Sequence, residues 1–248
     1  MVGFSGGVTS AWCAGWALKN YPREEVILLF HDTKEEDADT YRFLREMALK
    51  LDMAITERSD GRSVTELARD EGMLPNNRAA FCSRVLKVEP GNRFMDELRD
   101  SGVTEVIKVV GFSANETDRV QRAAGWSMSY HGLFEDFDVS VAYPLIWTGT
   151  TKQECADWVS CEMGVALPRM YEWSDRANCV GCVRGGKAYW LAVKENAPEV
   201  FEQRKGLEEE FGHTFSGRYS LAQIESEGLF RQVGRREAIE IGPCECGS

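Results

Sequence analysis

Apolar residues in this 248-residue chain fall into short continuous runs that alternate with stretches of helical spacing. Residues 2–4 read as a very short strand, followed by an apolar-periodic helix over 11–20 that stops near Tyr21 and Pro22. The run 25–30 is apolar almost throughout, as suits a parallel strand buried on both faces. Tyr41, Leu44, Met47, Ala48 and Leu51 then recur at helical spacing, and 53–56 reads as a third strand. Ser63 and Glu66 have the spacing of a capping box at the head of a helix over 63–71. A helix over 92–100 and a strand over 103–110 follow. A segment around 141–148 leads to a second capping-box pair, Thr151 and Glu154, opening a helix through Trp158. Alternating strands and helices with short connections predict an α/β fold: a doubly wound, mostly parallel sheet with helices on both faces. From Leu167 onward the pattern becomes mainly helical, with helices expected over 188–196 and 199–212, the latter charged and solvated. The expected organisation is an α/β domain over 1–165 and a helical, cysteine-containing extension over 166–248 packed on it.

The chemistry begins between the first strand and the first helix. There Ser5, Gly6, Gly7, Val8, Thr9 and Ser10 form a loop whose backbone N–H groups face one small volume. Glycine lets the main chain approach an anion, the helix N-terminus adds roughly half a positive charge, and Ser5, Thr9 and Ser10 offer hydroxyls. That is a phosphate cradle, although an ordinary Ser/Gly turn capping a helix has the same letters. It is not a Walker loop, which ends in Gly-Lys-Ser/Thr. His31, Asp32 and Thr33 sit at the carboxyl end of the second strand, where open α/β sheets bind ligands, and so should lie beside this loop.

Composition narrows the classes. With 43% hydrophobic residues the chain can bury a sizeable core, and a net charge of −11 argues against a protein that coats nucleic acid. The absence of a ~20-residue apolar span and of a basic or apolar leader leads to the expectation of a cytoplasmic protein. Eight cysteines in such a chain point to metal ligands or redox groups rather than structural disulfides. Cys82, the CxxC pair Cys179 and Cys182, and the CxC pair Cys244 and Cys246 carry this signal, whereas Cys13, Cys155 and Cys161 read as core.

Five segments, spanning roughly 1–185, carry a family resemblance. The 5–10 loop resembles the PP-loop, SGGxDS, with Thr9 at the Asp position. Residues 77–90 resemble the CCxxRKVxP segment of assimilatory adenylyl sulfate (APS) reductases, matching at Cys82, Lys87 and Pro90 and placing Ser83 where the second cysteine stands. Gly111, Glu116 and Arg119 resemble a GxRxxE nucleotide segment, with Ser113 at the arginine position. Residues 141–158 resemble the PLxDWtxxdVwxYi segment of sulfonucleotide reductases. The fifth is the CxxC itself. In addition, Glu245-Cys246-Gly247 matches the ECG tail of those enzymes by letter. Together they resemble the phosphoadenosine phosphosulfate (PAPS) reductase family of the PP-loop ATP pyrophosphatase, or adenine nucleotide alpha hydrolase, superfamily.

The resemblance implies that Ser5, Gly6, Gly7, Thr9 and Ser10 contact nucleotide phosphate, with Glu116 and Arg119 nearby. It puts Phe30, His31, Asp32 and Thr33, with Gly111 opposite, around the adenosine, where Asp32 would bind the ribose or a magnesium ion. It implies a four-iron, four-sulfur cluster, ahead of zinc, on Cys82, Cys179 and Cys182; either a tail cysteine closes it, as the CxC spacing favours, with Cys244 preferred to Cys246, or one iron stays open to bind sulfide or substrate. Lys87 and Cys246 are its candidate catalytic residues. Three activities are compatible: an ATP-dependent enzyme that makes an adenylate and then delivers sulfur or another nucleophile; an APS/PAPS reductase with Cys246 as nucleophile and thioredoxin as reductant; and a non-catalytic nucleotide-binding protein with structural zinc. The acceptor could be a small molecule, a nucleobase in tRNA or DNA, or a sulfonucleotide, with a separate sulfur donor as partner. No membrane partner is expected, and the sequence does not indicate an oligomeric state.

Overall fold

The computed structural model describes residues 1–112, 137–227 and 239. Among these, five strands form one parallel sheet: β1 (Val2–Gly3), β2 (Leu28–Asp32), β3 (Ile55–Ser59), β4 (Glu105–Val109) and β5 (Asp138–Ala142). Their order is β3-β2-β1-β4-β5, with Val2 in register with Leu28 on one side and Val109 on the other. Helices around the sheet complete a doubly wound α/β fold, and the C-terminal region is helical. The two-residue β1 is the centre of the sheet, which is why so short an apolar run is buried.

Helix α1 (Val8–Asn20) buries Ala11, Cys13, Ala14, Gly15 and Ala17, and this stripe of small residues lets it lie close to its neighbours. A methyl at Gly15 would stand 2.7 Å from the Trp158 ring, so glycine is required for that approach. Helix α2 (Ala38–Leu51) is capped by Asp37, whose carboxylate accepts from the Asp39 N–H. Helix α3 (Val64–Glu71) opens with the Ser63/Glu66 capping box, both halves of which are formed. Next, α4 (Phe81–Ser83), a π turn over Arg84–Val88 and α5 (Glu89–Asp100) form one continuous helical stretch. Pro90 therefore lies inside this stretch rather than closing it. It cannot donate to the preceding turn, and the π register, with Glu89 N–H on the Arg84 carbonyl, accommodates the missing bond.

Beyond β5 come α6 (Pro144–Thr148) and α7 (Lys152–Asp157), the latter opened by the Thr151/Glu154 capping box and continued by a π turn over Trp158–Glu162. A 3-10 turn (Arg169–Glu172), α8 (Lys187–Asn196), α9 (Pro198–Phe211) and α10 (Leu221–Glu227) follow.

The largest core cluster lies under α1 and α2 and includes Phe4, Phe30, Phe43, Met47 and Cys155, with Ile239 returning to it. A second is built on Trp190, Phe201 and Phe215 and also takes in Val64, Leu67, Val85 and Leu86 from the first half of the chain. Two expectations are corrected here. The charged stretch 199–212 is not a solvated helix, because α9 buries Phe201, Arg204, Leu207 and Glu208. Its buried charges have partners inside: Arg204 donates to Glu35 at 2.6 Å, and Glu208 accepts from Phe215 N–H at 2.8 Å. Cys161, expected in the core and outside any disulfide, is exposed in the π turn after α7 and is disulfide-bonded, while Cys13 and Cys155 are free and fully buried.

Candidate nucleotide site and cysteine cluster

The chain leaves β1 for β2 and β3 on one side and returns to β4 and β5 on the other, so the strand order reverses between β1 and β4. Ligands of open α/β sheets bind outside the carboxyl ends of the strands at that switch point. The 5–10 loop leaves the end of β1 there, and Gly111 follows the end of β4. A methyl on Gly111 would lie 3.0 Å from the Thr9 carbonyl carbon and 3.2 Å from Ser10 N, which brings the two segments into backbone contact. Gly6 has φ +81°, and a Cβ there would come within 2.4 Å of Thr40 Cγ2. Gly7 is the N-cap of α1 and offers no side-chain cap, which leaves the helix N-terminus to other partners.

Ser10 is turned inward. Its hydroxyl donates to the Gly7 carbonyl at 2.8 Å and accepts from Ser5 N–H at 3.2 Å, fixing the loop from within. Ser5 is exposed and Thr9 half-buried, so these two hydroxyl residues stand nearer the open side. One cradle N–H already has a protein partner that sequence reasoning missed: Val8 N–H donates to the Tyr171 phenol at 3.1 Å. Tyr171 belongs to the 3-10 turn, which Arg169 ties to the head of α2 through Asp37 at 2.7 Å and, by its N–H, Asp39 at 2.8 Å. Burial pushes the Tyr171 phenol up to about 12, so it stays neutral. No motif marks Tyr171; only the fold brings it 163 residues back to Val8.

At the end of β2, side chains alternate between faces of the sheet. Phe30 is 3% exposed and meets Tyr41 edge-on within the largest core. His31 lies on the opposite side, with Nε2 buried, without a hydrogen-bond partner, 3.0 Å from where a Gly91 Cβ would stand. Burial, then Lys108 and Lys87, lower its pKa to about 4. Asp32 Oδ1 accepts from the Tyr41 phenol at 2.6 Å and from Lys34 N–H at 2.9 Å. Lys34 adopts φ +59°, a left-handed turn in the loop that carries Thr33 to Glu36.

That loop reaches the cysteines. Buried Thr33 places its hydroxyl 3.2 Å from Cys179 Sγ and 2.9 Å from both Glu36 oxygens. Glu36 Oε1 is 3.7 Å from Cys179 Sγ and 3.7 Å from Lys87 Nζ. The Lys87 ammonium also interacts with Cys179 and Cys182, and these thiols and Glu36 hold its pKa above the usual lysine range against the effect of burial. Burial raises Cys82, and the nearby Cys182 adds to it. Burial likewise pushes Cys179 up to about 11, against the pull of Lys87.

The CxxC turn is fixed by Tyr189, whose hydroxyl donates to the Cys179 carbonyl at 3.0 Å and accepts from Cys182 N–H at 3.2 Å. Gly181, at φ +73°, leaves room for Val200 and Arg204. Cys82, Cys179, Cys182 and Lys87 are therefore gathered around one spot, at the back of the β2 loop. Ser83 is exposed. Among the described residues, no three His, Cys, Asp or Glu side chains converge closely enough to hold a single metal ion. Glu116, Arg119, Cys244 and Cys246 lie outside the described residues.

The profile of the phosphoadenosine phosphosulfate reductase domain matches residues 1–124, which covers β1 to β4, the loop and Gly111. The chain belongs to this family. It is thereby a member of the PP-loop, adenine nucleotide alpha hydrolase superfamily, a group of nucleotide-binding proteins. An uncharacterized protein of Methanocaldococcus jannaschii, MJ0973, is 24% identical over 211 residues, covering 85% of this chain. The chain spans about half the length of that relative, 47%. Among the described residues no helix is long and apolar enough to cross a membrane.

Proposed function

We propose that this PAPS reductase-like protein is a cytoplasmic enzyme that binds an adenine nucleotide on the 5–10 loop and uses it for adenylylation-type activation followed by sulfur transfer. The observation that carries this reading is the backbone contact of Gly111 with Thr9 and Ser10, which joins a glycine-rich helix N-terminus to the end of β4 at the switch point. In the proposed reaction a substrate oxygen attacks the α phosphorus of ATP, an O–P bond forms, and the bond to the β-phosphate oxygen breaks to release pyrophosphate. The free N–H groups at the head of α1 and the hydroxyls of Ser5 and Thr9 would take the phosphate charge, and magnesium would share it. Asp32, whose carboxylate accepts from the Tyr41 phenol, would bind the ribose or, alternatively, a magnesium ion. A small molecule, a tRNA or DNA base or a sulfonucleotide remain the acceptor classes, with a sulfur donor as partner of the adenylylating enzyme and thioredoxin as partner of a reductive variant.

The three gathered thiols support a metal centre as a second component. A single zinc would need thiolates about 4 Å apart, given Zn–S of about 2.3 Å, whereas the described side chains do not converge in that way. Cys82, Cys179 and Cys182 interact electrostatically with one another or with the Lys87 ammonium, which would offset the negative charge of an iron–sulfur cluster. When bound, the cluster would supply an iron or sulfide able to handle sulfur. Cys82, Cys179 and Cys182 would hold it. The test is to incubate anaerobically purified protein with ATP, APS and PAPS separately: pyrophosphate with AMP supports the adenylylating enzyme, sulfite the reductase with Cys246 as nucleophile, and no turnover with full zinc occupancy a non-catalytic protein.

A further inference from the structure

The head of α1 is met by a side chain from 163 residues further along the chain. Tyr171 is 5% exposed, and its hydroxyl stands 3.1 Å from Val8 N and 3.2 Å from where a Gly7 Cβ would be, so the phenol oxygen borders the cradle itself. A phenol has one proton to donate and lone pairs with which to accept. Here the accepting side is occupied, because Val8 N–H and the backbone N–H of Ala177 both donate to it. Among the described residues, the O–H itself has no acceptor. A buried hydroxyl proton without an acceptor costs free energy, and the helix N-terminus beside this one is where an anion is stabilised. The phenol is also held in place. Tyr171 N–H donates to the Pro168 carbonyl at 3.0 Å, and the adjacent Arg169 is tied to Asp37 and Asp39. Lys152 Nζ lies 5.2 Å from the centroid of the Tyr171 ring, which puts a cation over the ring that carries the hydroxyl.

We infer that Tyr171 is a binding residue of the nucleotide loop, whose O–H donates to a phosphate oxygen of the bound nucleotide. This rests on the nucleotide reading above. Tyr171 lies outside residues 1–124, which the family profile matches. The two N–H groups that donate to its oxygen polarise the O–H and strengthen it as a donor. Burial keeps the phenol neutral, so the proton is present to be shared with an anion. The phosphate site is then built from both ends of the chain: glycine backbone and α1 N–H groups from the first ten residues, and one phenol from the turn after α7.

The experiment is calorimetric titration of wild type and Tyr171→Phe, as full chains, with ATP, APS and PAPS, and with adenosine as a phosphate-free probe. The nucleotide that binds wild type is expected to bind the variant about tenfold more weakly, while adenosine treats both alike because the ring remains. Equal nucleotide affinity in Tyr171→Phe would overturn the inference. Tighter binding would overturn it too, by showing that the phenol only occupies the Val8 N–H that a phosphate would take. An equal loss of adenosine affinity would reduce Tyr171 to packing and overturn it as well. Since Val8 N–H loses its acceptor in this variant, a measurement that keeps the hydroxyl accompanies it. With 3-fluorotyrosine in place of Tyr171, the fluorine resonance should move on addition of the nucleotide and stay in place with adenosine; a resonance unmoved at saturating nucleotide would overturn the inference whether or not Tyr171→Phe folds. Wild type that binds none of the three nucleotides would overturn the nucleotide reading itself.

Discussion

Gly6 concentrates the local physics of the nucleotide loop in one residue. Its φ of +81° is costly for any side chain, and Thr40 already occupies the space a Cβ would need, at 2.4 Å. Gly6→Ala should therefore add on the order of 1–2 kcal/mol of backbone strain plus a steric clash, and shift the loop enough to weaken nucleotide binding at least about tenfold. Isothermal titration with the preferred nucleotide measures this; unaltered affinity would remove Gly6 from the cradle. The two glycines were legible in the sequence because only their backbone freedom explains them. Tyr171 was not, because its contact with Val8 depends on a turn 163 residues away.

His31 gives a second prediction at this scale. Its pKa falls from 6.5 to about 4 in the folded chain. The unfolded chain then binds the proton more tightly, so between those values stability falls as pH falls, and above 6.5 this contribution is constant. Urea denaturation of wild type and His31→Gln should show a steeper loss of stability below pH 6.5 in wild type; parallel pH profiles would place His31 in water. The letter His31 was legible as a strand-end residue, but its burial against Gly91 required the helical stretch from α4 through α5.

At the scale of elements, capping boxes and the parallel pattern were readable because they depend on residues three apart or on continuous apolar runs. Both boxes, at Ser63/Glu66 and Thr151/Glu154, formed as spaced. What failed to be legible was α9, whose charges suggested a solvated face. Arg204 is 0% exposed, bonds Glu35 at 2.6 Å and Thr65 at 2.7 Å, and so connects α9 to the β2 loop and to the head of α3. Glu35 also passes its carbonyl to Val180 N–H at 2.7 Å, within the CxxC turn. Removing one member of a buried pair leaves the other uncompensated, so Arg204→Met should cost about 3–5 kcal/mol in chemical denaturation, with Glu35→Gln/Arg204→Met together costing less. A change under about 1 kcal/mol in the single variant would show that the pair does not hold these elements.

Across the whole molecule, the expected boundary at 165/166 remains a proposal, and the packing tells how the two parts depend on each other. The second core takes Leu67 and Leu86 from before the boundary and Trp190, Phe201 and Phe215 from after it, while Tyr171 and Ile239 join the first. A chain ending at residue 165 should thus expose Val64, Leu67, Val85 and Leu86 and be aggregation-prone or partly unfolded, which size-exclusion chromatography and near-ultraviolet circular dichroism would reveal; a monomeric, native-like fragment would mean that the extension is dispensable. Fold class was legible because strand and helix alternation fixes few topologies. The cysteine cluster was legible only as spacing, since the loop that completes it lies in the first quarter of the chain.

The account stands on nucleotide binding at the switch point, and direct calorimetric titration of the full chain with ATP, APS and PAPS, in parallel with Gly7→Val, tests it. One of the three is expected to bind at a single site in wild type and none in the variant, whose side chain would press against Tyr171 Oη, 3.2 Å from the Cβ position. Absence of binding to all three in wild type, or equal affinities in Gly7→Val, would contradict it.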